Sequence, residues 1–408
     1  MVSGALKTEM QQGVEEAEVL LTGSPGNGAP DVSTFDMSDN LGTYWFINSL
    51  PYGSNFTLTP AKDDNPLNGI TTYDLVLISK HILGIEPLGS PYKMIAADAN
   101  KSNSITTFDI VEIRKLILGI YQSLPGNDSW RFIDNSYVFP NPSNPFQEMF
   151  PENKSVADMQ ANMFDANFTA VKIGDVNNTV VPNSLLQSDD RSVGTLLLDV
   201  ADRDVKAGES FDLTFKTSEE VAAFQLTLNL DGLSVVEIQE NDKVSANNFG
   251  VFNDALTVSL DAANDFTVNV VANKSGKLSD MLSVSNRITK AQAYKSLGNL
   301  DEVANWDVAL RFNGTNGSFV SGTGYELLQN VPNPVQGLTN ISFNLPASME
   351  ATLTISNADG RVLKTLSSSY EKGLNTVTIH RAELDAGVLF YTLNTADYSA
   401  TKKMIIVE

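Results

Sequence analysis

The sequence predicts a mainly β, multidomain protein that carries one small α-helical module. The chain has 408 residues, more than a single compact hydrophobic core usually serves. Most of it reads as short runs of β-forming residues separated by Gly, Asp and Asn turns. The exception is a duplication, because residues 70–85 and 105–120 are identical at eleven of sixteen aligned positions. The helical module is therefore expected at this duplication.

Composition excludes several classes of function. Lys and Arg number 27 against 49 Asp and Glu, and the net charge of −22 argues against nucleic acid or an anionic membrane as partner. The absence of cysteine excludes disulfides, thiolate metal sites and a Cys nucleophile. No run approaches the roughly 20 apolar residues of a transmembrane segment. No basic and apolar leader opens the chain, so we expect it to begin inside a longer gene product.

Residues 1–60 are expected to form a small β-sandwich. Residues 14–21 alternate apolar and acidic side chains, and residues 43–47 are a second strand-like run. A turn-rich segment, 23–30, separates the two. This pattern resembles the prealbumin-like or carboxypeptidase-regulatory modules of bacterial surface proteins. The resemblance implies a scaffold domain, here truncated.

Residues 61–182 contain the duplication and a polar, aromatic extension. Each copy has oxygen-bearing residues at alternate positions of a twelve-residue loop and then runs into a helix. Calcium takes six to eight oxygen ligands at about 2.3–2.6 Å, which is the chemistry that this pattern offers. The second loop presents candidate ligands at positions 1, 3, 5, 7 (by its carbonyl), 9 and 12: Asp98, Asn100, Ser102, Ser104, Thr106 and Asp109.

The first loop offers a poorer set: Asp63, Asn65, Gly69 (by its carbonyl), Thr71 and Asp74. Leu67 stands at position 5 and supplies no side-chain oxygen, so this site is expected to bind more weakly, to use water, or to recruit Asp64 after a local shift. The alternative is a degenerate loop that folds without metal.

Both helices carry an apolar stripe at helical spacing, Leu75, Ile78, Ile82 and Ile85 in the first and Ile110, Ile113, Ile117 and Ile120 in the second. The loop-and-helix pair resembles a dockerin, the calcium module that docks on cohesins. The resemblance implies Ca²⁺ as cofactor, a cohesin-like domain as partner, and a docking surface at Thr72, Tyr73, Thr107, Phe108, Lys80, Arg114 and Lys115. Tyr73 and Phe108 replace the small hydroxyl residues usual in dockerins, and both are alternatively core residues.

A Ser-, Asn- and Asp-rich linker at 182–192 leads to a second β region, 193–318. Runs rich in β-formers occupy 196–200, 211–215, 223–230 and 266–271. The order of these runs resembles a cohesin β-sandwich, and a generic sandwich or a carbohydrate-binding module is the alternative.

Residues 322–408 carry a series of short motifs. They are Asn330-Val-Pro-Asn-Pro334, Asp359-Gly360, Gly373-Leu-Asn375, Gly387 to Tyr391, and Lys402-Lys-Met404. This order resembles the C-terminal sorting domain of the type IX secretion system, an Ig-like β-sandwich, with Leu389 replacing a usual Tyr. The resemblance implies export by the type IX machinery, and a secreted or outer-surface location on a Gram-negative bacterium.

Nothing in the sequence predicts catalysis. The two histidines, His81 and His380, have no triad or zinc-ligand pattern around them. We therefore expect a non-catalytic, secreted modular protein that docks, through calcium-stabilised loops, on a cohesin-like domain of its own or another chain. The alternatives are a carbohydrate-binding adhesin and the C-terminal accessory region of a polysaccharide-degrading enzyme whose catalytic domain lies upstream.

Overall fold

The protein is described by a computed structural model. It describes all residues except 26–28, 48–49, 187–191, 193, 262, 297–302, 314–318, 321–324, 329, 331, 336, 346–348, 358–360, 371–372, 385, 396–397 and 408. The chain forms two compact units, Met1–Asp189 and Asp190–Glu408. The predicted mainly β, multidomain class is confirmed.

Two four-stranded sheets form the framework of the first unit. The strands are β1 Val2–Thr8, β2 Glu18–Ser24, β3 Val32–Met37, β4 Thr43–Phe46, β5 Asn55–Ala61, β6 Trp130–Asp134, β7 Lys154–Val156 and β8 Phe168–Lys172. Their order is β4-β1-β8-β6 in one sheet and β3-β2-β5-β7 in the other. The sheets share one apolar core. The alternation predicted for β2 is present, since Val19 and Leu21 are buried while Glu18 is exposed.

Strands from the predicted extension complete this sandwich. β8 pairs in parallel with β1, placing Phe168 opposite Leu6, and β7 pairs with β5. The sheets therefore join the ranges 1–60 and 61–182, which the sequence separates. The physical reason is that β6 and β8 are buried along their whole length, so neither shows the alternation that marks a half-buried strand.

Three helices lie between β5 and β6: α1 Thr72–Ile82, α2 Pro91–Ala97 and α3 Thr107–Ile117. In α1 and α3 the third residue is an Asp that accepts a hydrogen bond from the residue before the helix, Asp74 from Thr71 and Asp109 from Thr106. Two residues after each of these helices lies a glycine with positive φ, Gly84 after α1 and Gly119 after α3, which suits the left-handed turn. The helices form a second apolar core with residues of β6 and β8, among them Ile133 and Val171.

The helices are short. α1 and α3 have 11 residues each, and no helix in the described part of the chain is long and apolar enough to cross a membrane. The predicted stripes are only partly buried. Leu75, Ile78, Ile113 and Ile117 lie in the core, whereas Ile85 and Ile120 follow the glycine turns and are exposed.

The second unit begins with a large sandwich. Its strands are β9 Gly194–Ala201, β10 Asp204–Val205, β11 Ser210–Thr217, β12 Ala223–Leu230, β13 Leu233–Ile238, β14 Phe249–Val251, β15 Ala255–Leu260, β16 Asp265–Ala272, β17 Gly276–Lys277, β18 Leu282–Ser285, β19 Gln292–Ser296, β20 Val303–Asn313 and β21 Phe319–Val320. The main hydrogen-bonded path is β13-β16-β11-β9-β20-β19-β12-β15-β14 and surrounds one core. All four predicted runs lie within strands.

The last strands are β22 Glu326–Leu327, β23 Leu338–Leu345, β24 Met349–Asn357, β25 Val362–Tyr370, β26 Gly373–His380, β27 Gly387–Asn394 and β28 Ser399–Ile406. They form the sheets β22-β23-β26 and β25-β24-β27-β28 around a fourth core. The predicted Asp359-Gly360 turn and residues 187–191 of the predicted linker lie outside the described residues.

Two motifs of the C-terminal domain meet in its core. The buried Tyr391 hydroxyl donates to the Leu328 carbonyl at 2.9 Å and accepts from the Asn330 N–H at 2.8 Å. The Asn330 side chain in turn donates to the carbonyl of Pro332 at 3.2 Å. The residues that carry the sequence motif are therefore structural, because they satisfy buried polar groups.

Candidate metal centre

The second predicted loop closes around Asp98. This residue follows α2, is fully buried, and accepts hydrogen bonds from the N–H of Ser102 at 2.8 Å and the N–H of Asn103 at 2.9 Å. The Ser102 N–H is also 3.1 Å from Oδ1 of Asn100. Lys101 and Asn103 have positive φ values of 57° and 61°. These left-handed residues fold positions 1 to 6 of the loop into one tight turn.

Asp109 connects the other end of the loop to this turn by hydrogen bonds. It is fully buried in the first turn of α3, and its Oδ1 accepts from the N–H of Asn100 at 3.2 Å. Its Oδ2 accepts from the Thr106 N–H at 2.8 Å. The Ser102 hydroxyl reaches the Ser104 carbonyl at 3.2 Å. The structure thus brings all six residues predicted for the second loop together.

The electrostatics of this loop favour a cation. Burial raises the pKa of Asp98 above its ordinary value, and hydrogen bonds from the Ser102 and Asn103 N–H groups oppose the rise. The nearby Asp109 carboxylate adds to the rise, and the positive charge of Arg131 opposes it. Two buried carboxylates of like charge destabilise each other unless a positive charge lies between them. A divalent ion with oxygen ligands would supply that charge.

The first predicted loop is arranged differently. Oδ1 of Asp63 accepts from both the N–H and the hydroxyl of Ser129 at 2.8 Å, and Asp64 pairs with Lys62 at 2.9 Å. Asn65 has a positive φ of 42° and begins a turn that its carbonyl closes. The first residues of the predicted loop therefore form hydrogen bonds and ion pairs with their own neighbours and with Ser129, and not with Asp74.

Asp74 contacts a distant segment instead. Its fully buried Oδ1 accepts from the N–H of Val176 at 2.9 Å and from the N–H of Asn177 at 3.2 Å. Its Oδ2 accepts from the N–H and hydroxyl of Thr71, each at 2.9 Å. Asp74 and Val176 are 102 residues apart in the sequence.

The distant segment forms a turn of its own. Asp175 accepts from the N–H of Thr179 at 3.1 Å and the N–H of Val180 at 2.9 Å. The Thr179 N–H also lies 3.2 Å from Oδ1 of Asn177. The Thr179 hydroxyl donates to the Gly69 carbonyl at 2.9 Å, which joins the turn to the second half of the first loop.

Charge is also concentrated at this second cluster. Burial, followed by the neighbouring Asp175, raises the pKa of Asp74, and burial raises the pKa of Asp175. The buried Lys172 ammonium donates to the Pro66 carbonyl at 2.7 Å, and burial lowers its pKa to about 8. Lys172 partly offsets the charge on Asp175.

Sequence reasoning assigned no role to Asp175, Asn177 and Thr179. A signal for them exists, because the Asp-x-Asn spacing of 98–100 recurs at 175–177 directly after a left-handed glycine, Gly174. The signal is easy to pass over because the residues that complete the loop do not follow it in the chain.

The predicted docking residues separate into exposed and buried groups. Phe108 is 72 % exposed, which makes the core interpretation wrong for this side chain, and Thr107 is also exposed. Tyr73 is half-buried. Three predicted residues have structural partners or burial: Thr72 and Arg114 are buried, and Lys80 pairs with Glu86 at 2.8 Å. Lys115 lies 3.1 Å from the Tyr121 hydroxyl.

The donor chemistry of both clusters suits a hard cation. Within the described parts of the chain, no group of three or more His, Cys, Asp and Glu side chains is placed to hold a metal. Each cluster instead combines two carboxylates with amide, hydroxyl and carbonyl oxygens. Such all-oxygen sets fit calcium and do not fit zinc, which prefers nitrogen and sulfur.

The described residues of the large sandwich present no set of exposed aromatic rings for sugar stacking. Trp306 packs against the core and Gly194, with the Lys295 ammonium 4.5 Å from its ring centre. Across the described residues of 193–318, no aromatic side chain is mainly exposed.

Similar solved structures share little sequence with this chain. A type II cohesin dyad from the ScaA scaffoldin of Acetivibrio cellulolyticus matches at 9 % identity, covering 50 % of this chain and 89 % of that one, with a TM-score of 0.23. A BSP domain of a biofilm-associated protein matches at 9 % identity, 63 % and 59 % coverage and a TM-score of 0.16. Bacillus subtilis pullulanase type I, complexed with maltose, matches at 9 % identity, 54 % and 28 % coverage and a TM-score of 0.15.

TM-scores this low do not establish a common fold. No curated protein matches the chain. The C-terminal domain is different, because residues 331–407 match the family model of the secretion system C-terminal sorting domain. This match confirms the predicted type IX sorting domain and, with it, an exported protein.

Proposed function

We propose that this exported protein is a non-catalytic modular protein whose helical module binds calcium and docks on a cohesin-like domain. One observation carries the proposal: the six oxygen-bearing residues of the continuous loop 98–109, two of them the buried carboxylates of Asp98 and Asp109, are linked to one another by hydrogen bonds. Calcium would neutralise Asp98 and Asp109 and fix the start of α3. The sorting domain supports this assignment, because export takes the module to an extracellular medium, where calcium is abundant enough for weak sites.

The exposed side of α3 supports the docking role. Phe108 is one residue before the buried Asp109, so the metal loop would fix the position of this exposed ring. A large exposed aromatic beside a rigid loop is typical of an interface anchor. The proposed partner is a cohesin-like domain, either residues 193–318 of a second copy or a domain of another chain.

Calorimetric titration of the full chain with calcium tests the metal role. We expect saturable heat and a higher melting temperature that EDTA reverses. Asp98→Asn should remove binding at the continuous loop, because it deletes one of two ligand charges. Absence of heat, together with identical melting curves in calcium and EDTA, would refute calcium binding.

Sedimentation of the full chain tests docking between copies. In saturating calcium, the weight-average mass should rise as the protein concentration rises, because copies associate. Phe108→Ala should reduce this association while leaving calcium binding intact. Phe35→Ala, which removes a ring that is 60 % exposed on the edge strand β3, is the matched surface control. A chain that stays monomeric in saturating calcium would reject residues 193–318 as the partner.

A further inference from the structure

The cluster at Asp74 repeats the main hydrogen bonds of the continuous loop. In the continuous loop the first Asp accepts from the N–H groups four and five residues later, and in the segment after β8 Asp175 does the same with Thr179 and Val180. The last Asp of each set accepts from the N–H of the Asn at position 3, at 3.2 Å in both cases. Lys101 and Asn178, each at position 4, have φ values of 57° and 60°.

The two halves of this second set belong to different parts of the chain. Asp175, Asn177 and Thr179 supply the first half of a loop, which then leaves the site at Val180. Gly69 and Asp74 supply the second half and lead into α1. The Thr179 hydroxyl and the Gly69 carbonyl, 2.9 Å apart, correspond to the Ser102 and Ser104 oxygens of the continuous loop.

Gly69 permits the two halves to meet. A Cβ on this residue would lie 2.6 Å from both the N and Cα atoms of Val180, and the backbone has φ of +81°. The side-chain amide of Asn68 also holds the junction. It donates to the Val181 carbonyl at 2.8 Å and accepts from the Val181 N–H at 3.1 Å. The two halves of the split loop are therefore held together by the close approach of the Gly69 and Val180 backbones and by two hydrogen bonds of the Asn68 side chain.

We propose that the first calcium ion binds in this split loop, between the helical module and the segment that follows β8. Its ligands are the carboxylates of Asp175 and Asp74, the amide oxygen of Asn177, the Thr179 hydroxyl and the Gly69 carbonyl. Asp63 and Asn65, which precede α1 in the sequence, take no part. This inference rests on the proposed function, since it extends calcium binding from the continuous loop to a second site.

An ion at this place would act as a cross-link. It would tie the start of α1 to the segment 175–180, which is anchored on one side by β8 and on the other by Asn183, whose amide donates to the Gly13 carbonyl at 2.7 Å. Calcium would then hold the helical module against the sandwich into which it is inserted. The continuous loop, by contrast, spans only twelve residues between α2 and α3.

Calcium stoichiometry in the full chain tests the proposal. We expect two ions for the natural sequence, one for Asp175→Asn, and two for the matched control Asp63→Asn, which removes the same charge from the start of the first predicted loop. Asp98→Asn should also leave one ion, and Asp98→Asn with Asp175→Asn should leave none. Circular dichroism in EDTA checks that each variant folds.

A second variant guards against misfolding of Asp175→Asn. Thr179→Val removes one neutral ligand at an exposed position. It should lower the affinity for the first ion by about tenfold, as expected for loss of one oxygen ligand from a calcium loop. Hydrogen exchange at residues 175–180 should speed up in EDTA and slow in calcium.

The outcomes distinguish the two proposals. If Asp63→Asn loses an ion while Asp175→Asn keeps two, the split site is wrong and calcium binding stands. A natural sequence that binds one ion, lost with Asp98→Asn, also overturns the split site alone. If no variant binds calcium, the proposed function itself fails.

Discussion

Gly69 gives a direct way to perturb the junction between the helical module and the segment after β8. Alanine at this position meets two penalties. A left-handed alanine costs about 1–2 kcal/mol, and a Cβ 2.6 Å from the Val180 backbone adds about 1–3 kcal/mol for the displacement that it forces. We therefore expect Gly69→Ala to lower the free energy of unfolding by about 2–5 kcal/mol.

Gly84 is the matched control. It also has positive φ, +67°, and no atom of the described residues lies within 4 Å of a Cβ built on it. Gly84→Ala should therefore cost only the backbone term, about 1–2 kcal/mol. Both variants are measured by chemical denaturation of the full chain in saturating calcium, followed by tryptophan fluorescence, to which the buried Trp130 contributes.

Calorimetry of the same two variants separates strain from metal binding. Because the clash pushes Val180 away from Gly69, Gly69→Ala should weaken the first calcium ion, whereas Gly84→Ala should leave both ions unchanged. Equal destabilisation by the two variants, or full calcium binding in Gly69→Ala, would refute the close approach of these segments.

Three further predictions concern pH, docking and the sorting domain. In EDTA, the raised pKa of Asp74 means that the folded protein binds more protons than the unfolded one above about pH 4, so stability should fall as pH rises from about 4.5 to 7.5. Calcium should flatten this dependence, and thermal melts across the range in both buffers measure the difference; identical slopes would contradict it. Phe108→Ala should change the melting temperature little, since the ring is exposed, yet weaken calcium-dependent association in sedimentation by about tenfold. Tyr391→Phe should cost about 1–3 kcal/mol, because it leaves the Asn330 N–H buried without its acceptor, and differential scanning calorimetry of the second unit's transition should show it.

Features that depend on residues close together in the chain are predicted well from the sequence. The alternating Val19 and Leu21 lie in a half-buried strand, and the capped helices begin beside Asp74 and Asp109, because strand alternation and helix capping depend on neighbours in the chain. The continuous loop 98–109 is predicted for the same reason, since all its oxygens lie within twelve residues.

Non-local pairing is what the sequence does not reveal. β8 is buried along its whole length although it contains Thr169 and Lys172, and it pairs in parallel with β1, so its five residues show no regular alternation and give no register. The assignment of Asp63 and Asn65 to the first loop likewise depends on local spacing alone. Their spacing to Asp74 fits a twelve-residue loop, but nothing local shows that Asp175 and Asn177 occupy the equivalent positions.

The parallel pairing of β1 with β8 has a consequence for how the first unit folds. Leu6 and Phe168 are opposite each other although a long stretch of chain, including three helices, separates them in the sequence. Contacts of such long sequence separation are slow to form, because loop closure costs conformational entropy before pairing is rewarded. A ligand that joins residue 69 to residue 179 shortens the chain that remains to be closed. The refolding rate of this unit should therefore rise with calcium concentration, making the ion a determinant of folding speed as well as of stability.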